Sequence, residues 1–276
     1  MTDSSWGAWV GRSQDTEDIV SPTAIRLMRA ALGSSDEQND ELPPLWHWLH
    51  FLQAEAPENL SNDGHPCRGG FLPPIELPRR MWAGGALTFH HPLRVGEFVR
   101  RVSRISNIQE KTGRTGSLVF VQVAHEIHSP LGLAISESQD IVYREAPGAV
   151  QGLPLRSAPH DAQFSRIVTP DPILLFRYSA LTFNGHRIHY DHPYATQIEG
   201  YPSLVVHGPL IATLLLEQLR AFRPGVKIRN FTFRALSPLF VGSSFTVAGR
   251  VDAQTARLWA AGADGQFAMD GMAILG

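Results

Sequence analysis

Apolar and polar positions are easiest to read in the second half of the chain. In "HGPLIATLLLEQLRAFRPG", Leu210, Ile211, Leu214, Leu215, Leu219 and Phe222 recur at helical spacing over a wide face, which predicts a deeply buried helix. Pro209 suits its first turn, and Pro224-Gly225 stops it after Arg220 and Arg223, cations that complement the C-terminal dipole. The period then shortens to two. In "IRNFTFRAL", Phe231, Phe233 and Ala235 take one face and Asn230, Thr232 and Arg234 the other. "SFTVAGRV" is a further strand, and "ARLWAAGADGQFAMDGMAIL" a hairpin turning at Gly262-Ala263-Asp264-Gly265. "LLFRYSALTF", residues 174–183, is read as a strand leading into the polar stretch "TFNGHRIHYDHPYA". One very apolar helix followed by antiparallel strands predicts an α+β unit, a curved sheet wrapped around that helix.

The first half repeats the recipe less cleanly. "SPTAIRLMRAAL" has a Ser-Pro helix start, and "PPLWHWLHFLQ" reads as a second short apolar helix. After a Gly/Pro-rich excursion at 62–78, strands run through 81–144. "SLVFVQVAHEIHS" is the clearest, with Leu118, Phe120, Val123 and Ile127 apolar but in broken register. Both halves carry Pro-Leu-x-Val-Gly before an alternating strand, at 92–96 and 238–242, which favours a duplicated β-rich unit. "APGAVQGLPLRSAPHDA", residues 146–162, is the linker candidate between them.

At 276 residues with 43% apolar content, the chain holds enough material for a sizeable core. A net charge of −2 excludes a general nucleic-acid binder. Lys111 and Lys227 are the lysines among 24 basic residues; the rest are arginines, whose planar forks suit phosphates and carboxylates. The single cysteine, Cys67, excludes an intrachain disulfide and a multi-cysteine metal site. No secretory start is visible at the N-terminus, and no run reaches the ~18–20 apolar residues of a membrane span. The expectation is a cytoplasmic protein that needs no membrane.

The stretch at 182–195 concentrates the candidate chemistry. His186, His189 and His192 with Asp191 have a spacing a metal could use, but loop histidines three apart converge only by specific design, and no metal is expected. Acid–base chemistry is the other reading: a histidine titrating near neutrality, with the Asn184 amide five residues earlier to orient water or substrate. A helix opening at His207-Gly208-Pro209 offers N–H groups and a positive dipole end to an oxyanion on a thioester carbonyl. The residues alone leave a structural polar turn equally open.

"YSALTFNGHRIHYDHPYA" resembles the hydratase motif of MaoC-like hotdog enzymes, Gly-Asp-x-Asn-Pro-Ile-His-x-Asp-Pro, and "VVHGPLIATLLLEQL" the segment opening their central helix. "LTFNGHRIHYD" is especially similar to the subgroup holding mitochondrial 3-hydroxyacyl-thioester dehydratases and bacterial mesaconyl-C4-CoA hydratases. The resemblance implies a double hotdog. Residues 1–148 would form a degenerate hotdog shaping the acyl pocket, 149–162 a linker, and 163–276 the catalytic hotdog. It places His189 on the catalytic histidine and Gly208 on the oxyanion glycine. The catalytic aspartate position holds Asn184, an amide that takes no proton from water, so His189 would shuttle the proton while Asn184 positions water or substrate.

The implied reaction is reversible hydration of an enoyl-CoA giving (R)-3-hydroxyacyl products, with coenzyme A as part of the substrate and no other cofactor. A branched C5 dicarboxylyl thioester, mesaconyl- or itaconyl-CoA, is the expected substrate. Its distal carboxylate would meet Arg187, Arg177 or the Arg79-Arg80 pair. Trp82, Tyr178, His207 and Thr213 complete the expected binding set, Thr213 standing where relatives carry a serine. A fatty 3-hydroxyacyl-thioester dehydratase and a non-catalytic thioester-binding hotdog remain as alternatives. A homodimer stays open, since two hotdogs in one chain already supply the pairing.

Overall fold

The computed structural model describes residues 6–34, 40–113, 116–145 and 156–276. The chain opens with β1 (Ser13–Ile19) and α1 (Pro22–Leu32). Ser21 caps α1 by accepting from the Ala24 N–H at 3.3 Å, Pro22 takes the first turn, and Gly33, at φ +62°, ends it. Four strands follow: β2 (Arg79–Phe89), β3 (Phe98–Gly113), β4 (Gly116–Ser129) and β5 (Gly132–Arg144). The second half runs β6 (Phe164–Val168), α2 (Pro172–Leu181), α3 (Gly208–Phe222), β7 (Ile228–Ala235), β8 (Phe245–Asp252), β9 (Thr255–Gly262) and β10 (Phe267–Leu275).

The strands form one ten-stranded antiparallel sheet in the order β1-β3-β4-β5-β2-β7-β10-β9-β8-β6. Read inward from either edge, both halves have the same order of strands. They join at the centre, where Gly85 of β2 pairs with Phe233 of β7. The two Pro-Leu-x-Val-Gly copies occupy equivalent places: Leu93 and Leu239 are buried, and Gly96 and Gly242 turn the chain at φ +83° and +96° into β3 and β8.

Helix α3 lies in the concave side of the second half against β6, β8, β9 and β10, burying Leu210, Ile211, Leu214, Leu215, Leu216 and Leu219. Each such side chain contributes about 1.5–3 kcal/mol on burial. Phe222 departs from the expected face: it is partly exposed at the end of the helix, stacked on Phe164 at 4.4 Å. In the first half the matching place in the chain holds only a four-residue 3-10 turn, Trp46–Leu49, where a longer helix was expected.

The segment read as a strand before the polar stretch is helix α2. Asp171 accepts from the Leu174 N–H at 2.7 Å and Pro172 fills the first turn, a start signature that outweighs the apolar run behind it. In β4 the buried row is Val119, Val121, Val123, His125 and Ile127, so a histidine points inward and breaks the apolar pattern. Of the linker candidate, 146–155 lie outside the described residues. The remainder is tied to the β9–β10 turn by the Ser157–Gln266 bridge and the Ala158 N–H to Gly265 carbonyl bond at 3.0 Å. Among the described residues no helix is long and apolar enough to cross a membrane.

Candidate active site

A cleft of about 1420 Å³ opens between the two halves, and its wall includes Asn184, His186, His189, Tyr178, Trp82 and Gly208. The chain reaches it from α2 through Phe183, which turns at φ +48°. The Asn184 N–H then bonds the Ser179 carbonyl at 2.8 Å, and its Oδ1 accepts from the His186 N–H at 3.0 Å. A 3-10 turn, Arg187–His189, follows.

His189 is buried, and its Nδ1–H donates to the Val205 carbonyl at 2.7 Å. That bond assigns the tautomer and leaves Nε2 as an acceptor for the cleft. Burial pushes its pKa down to about 4, against the opposing Val205 hydrogen bond, so the ring is a neutral base at neutral pH. His207 stacks behind it at 3.7 Å and is anchored through Nε2 to the Ser179 hydroxyl at 2.8 Å. Ahead lies His186, edge-on at 5.4 Å, its pKa lowered to about 2 first by burial and then by the neighbouring histidines.

Gly208 opens α3 behind His207, where the first N–H groups of a helix have no intrahelical partner. A methyl group placed there would meet nothing nearer than the Trp82 carbonyl at 3.9 Å, so packing leaves the space beside this N–H free.

The first half closes the other wall. Its excursion carries Asp63, Gly64 and His65 against the Asn184 loop. The contact is backbone on backbone: a Cβ on Gly64 would lie 1.9 Å from the Gly185 carbonyl oxygen, and one on Gly185 would lie 2.6 Å from that of Gly64. The Arg187 N–H bonds the Asp63 carbonyl at 2.9 Å, and Arg187 Nη1 the Asn62 carbonyl at 3.0 Å. The His65 ring thereby sits 4.1 Å from that of His186.

Other sequence-selected residues fall less neatly. The Arg187 guanidinium is held by Asp191 at 2.7 Å and covers the Tyr194 ring; it fastens the loop and does not line the cleft, contrary to expectation. His207 and Thr213, expected to bind substrate, lie behind the wall, the Thr213 hydroxyl bonding the Pro209 carbonyl at 2.9 Å. Arg79 lines the cleft but is paired with Glu199 at 3.2 Å, and Arg177 is exposed away from it. Trp82 lies edge-on to Trp48 at 4.9 Å and donates to the Gly84 carbonyl at 2.7 Å. Arg80 lines the cleft, and its guanidinium has no hydrogen bond or ion pair to the described residues.

The metal set considered from sequence does not assemble, since His192 is exposed and Asp191 is committed to Arg187. A different trio, Asp63, His65 and His186, brings three donor atoms within 4.8 Å. There Asp63 and His65 bond each other at 3.1 Å, and the His65 and His186 rings face one another at 40°. Asp63 and His65 were not selected from sequence, because nothing local to "NDGHP" ties it to a loop about 120 residues away.

A buried loop histidine, a helix N-terminus bordering a cleft and a duplicated half are the arrangement that the resemblance to hotdog thioester hydratases and dehydratases implies. Comparison with known proteins narrows it. Residues 45–241 match the family model "Hydroxyacyl-thioester dehydratase type 2", and the chain belongs to that family. The chain is 47% identical to mesaconyl-C(4)-CoA hydratase of Chloroflexus aurantiacus, covering all of both chains. It is 31% identical to the mitochondrial hydroxyacyl-thioester dehydratase type 2 of Schizosaccharomyces pombe over 88% of this chain and 91% of that protein. A Mycobacterium tuberculosis structure described as a double hotdog superposes with a TM-score of 0.60 at 14% identity, over 97% of this chain and 96% of that one. The fold is the double hotdog expected from the motif, and the enzyme class expected, a hydro-lyase of acyl thioesters, is that of the family.

Proposed function

We propose that the chain reversibly hydrates a branched C5 dicarboxylyl CoA thioester, with mesaconyl-C4-CoA (3-methylfumaryl-CoA), α,β-unsaturated and bearing a carboxylate on its β-carbon, as the leading substrate and its isomer itaconyl-CoA as the related candidate. The Gly208 N–H at the head of α3 receives the thioester oxygen as it takes up enolate charge. His189 Nε2 accepts a hydrogen bond from the attacking water and takes part in its proton transfer. Asn184, lining the cleft beside it, orients water or substrate.

The dicarboxylate assignment rests on Arg80. In 3-methylfumaryl-CoA the free carboxylate hangs on the carbon that water attacks, so its guanidinium partner belongs beside the histidines that handle water. Arg80 lines the same cleft as His65 and His186, and after burial its positive charge is among the influences lowering the pKa of both. A fatty acyl chain carries no charge for the unpaired Arg80 guanidinium to meet in the acyl pocket, whereas a dicarboxylyl chain does. The 47% identity to a mesaconyl-C(4)-CoA hydratase supports the same reading.

The test is a hydration assay across crotonyl-, mesaconyl-C4-, itaconyl- and long-chain enoyl-CoAs, with Arg80→Met beside the wild type. A charge-assisted hydrogen bond contributes about 1.5–3 kcal/mol, so the variant should lose about 10- to 150-fold in kcat/KM on the dicarboxylyl thioester. Crotonyl-CoA turnover should stay unchanged. Equal losses on both, or a wild-type preference for long straight chains, refute the assignment. His189→Ala with full activity would sink the catalytic assignment of His189, whereas thioester binding should persist in the variant either way.

A further inference from the structure

Position 184 carries an amide where the hydration step calls for a proton acceptor. His189 alone is a poor resting place for the proton. Its Nδ1–H is backed by the Val205 carbonyl, and its ring is buried against His207, so an imidazolium there would face no anion in direct contact. His186, the buried ring ahead of His189, has its pKa lowered to about 2 and is a weaker proton acceptor still. Glu137, in the first half, is fully engaged by His47 at 3.0 Å, Trp48 at 2.9 Å and Gln139 at 2.9 Å.

Resting on the hydratase reading above, we propose that Asp63 and His65 form a carboxylate–imidazole base, delivered by the first half of the chain, that takes the proton position 184 cannot take. The geometry is that of a carboxylate-oriented histidine. Asp63 Oδ1 accepts from the His65 N–H at 2.9 Å and fixes the turn, while Oδ2 accepts from His65 Nδ1–H at 3.1 Å. His65 Nε2 is left as a lone pair with no partner among the described residues. Both residues line the cleft with about a fifth of each side chain exposed. The pair is neither sealed in the core nor free in solvent. A carboxylate on the far nitrogen stabilises the imidazolium that a carbonyl cannot. Burial raises the Asp63 carboxyl, but the His65 side-chain and backbone hydrogen bonds and the electrostatic influence of His65 and His186 together outweigh it, and Asp63 stays ionised. Burial lowers the His65 pKa, and the Asp63 contact opposes that shift.

The step then balances within the cleft. The proposed step places water within reach of both His189 Nε2 and His65 Nε2, the two rings that flank His186. Its O–H bond breaks toward His65 as its oxygen bonds Cβ, and the C=C electron pair moves onto the thioester oxygen at the Gly208 N–H. The enolate collapses by taking the same proton from the His65 imidazolium at Cα. Asp63 is a positioning residue; it holds the tautomer and the cation and never leaves its carboxylate form.

Steady-state hydration kinetics on the purified chain test this with His65→Gln, His65→Ala and Asp63→Asn. Asparagine at 63 still accepts from the His65 N–H, so the turn persists while the charge is lost. General-base loss predicts that kcat falls about 100-fold or more in His65→Gln with KM within about threefold, and that Asp63→Asn loses about tenfold or more in kcat. Added imidazole should restore part of the His65→Ala turnover. The proposal is overturned if His65→Gln keeps kcat within about threefold, if imidazole restores nothing, or if the losses track a lowered melting temperature and fall equally on kcat and KM. It is also overturned if EDTA abolishes wild-type turnover, which would assign Asp63, His65 and His186 to a cation. Failure of the hydratase reading looks different: the wild type itself would hydrate none of the thioesters.

Discussion

Gly208→Ala separates what the fold needs from what the reaction needs. The added methyl would have the Trp82 carbonyl at 3.9 Å as its nearest neighbour, an ordinary contact, and position 208 is not among the positive-φ glycines. Alanine is the better helix former, and replacing glycine at a compatible site restricts the unfolded chain. Stability should therefore hold or rise by about 0.4–1 kcal/mol. Activity should move the other way. The methyl occupies the approach to the N–H that receives the thioester oxygen, and loss of one oxyanion donor costs roughly 2.7–4 kcal/mol, about 10²- to 10³-fold in kcat. Thermal melting and enoyl-CoA hydration on the same preparation read both quantities. A melting temperature lowered by more than about 4 °C, which corresponds to roughly 1–2 kcal/mol in a chain of this size, would show that packing demands glycine. Turnover within about threefold of wild type would remove Gly208 from the oxyanion role.

Other substitutions and conditions probe the frame around the site. Gly64→Ala, which drives a Cβ toward the Gly185 oxygen at φ +87°, should lower stability by roughly 2–4 kcal/mol and cut activity as the two loops part; an unchanged melt contradicts the latch. Glu137→Ala strands His47, Trp48 and Gln139 in the first-half core and should cost about 3–5 kcal/mol, measured by urea unfolding; a loss below about 1 kcal/mol refutes it. His125 and His189 have folded pKa values near 4 against an ordinary 6.5. Between these values the unfolded chain binds more protons, so stability is fully present above pH about 6.5 and falls as pH drops. The loss should reach roughly 2 kcal/mol per ring at pH 5, and a flat urea midpoint between pH 7.5 and 5 contradicts it.

Sequence reading succeeded where local periodicity and burial coincide. α3 and β7 to β10 each bury one face against a continuous core, so a 3.6 or 2.0 period survives in the residues themselves. α2 shows the limit. It buries Leu175 and Tyr178 but exposes Ile173 and Phe176 at 62% and 63%, and Phe176 borders the cleft. Apolar side chains on both sides of the helix erase its stripe, and only Asp171-Pro172 marked the start. Among the described residues the first half has no long central helix, and the cause is comparable: "LWHWL" is apolar enough for a helix, but Leu45 enters it at φ +72° and Phe51 follows at +57°, so the chain turns in place of propagating.

The site was legible on one side only. Its second-half residues lie in a contiguous motif, where His189 and Gly208 carry the resemblance. Arg80 and Trp82, also singled out from sequence, reach the cleft on β2, whereas Asp63 and His65 arrive by a contact between two glycines with no sequence period. That asymmetry bears on Asn184. Gly185 touches Gly64, the neighbour of Asp63, so an aspartate at 184 would bring a second carboxylate to the side of the cleft that already holds one. Nearby carboxylates raise one another's pKa, and the proton shared between them is no longer available to water. With Asp63 supplied from the first half, an amide at 184 keeps a second carboxylate away from Asp63 while its Oδ1 still orders the loop through the His186 N–H. Asparagine at the usual aspartate position is then the complement of Asp63 rather than a sign of lost catalysis, and the first half contributes chemistry as well as a wall.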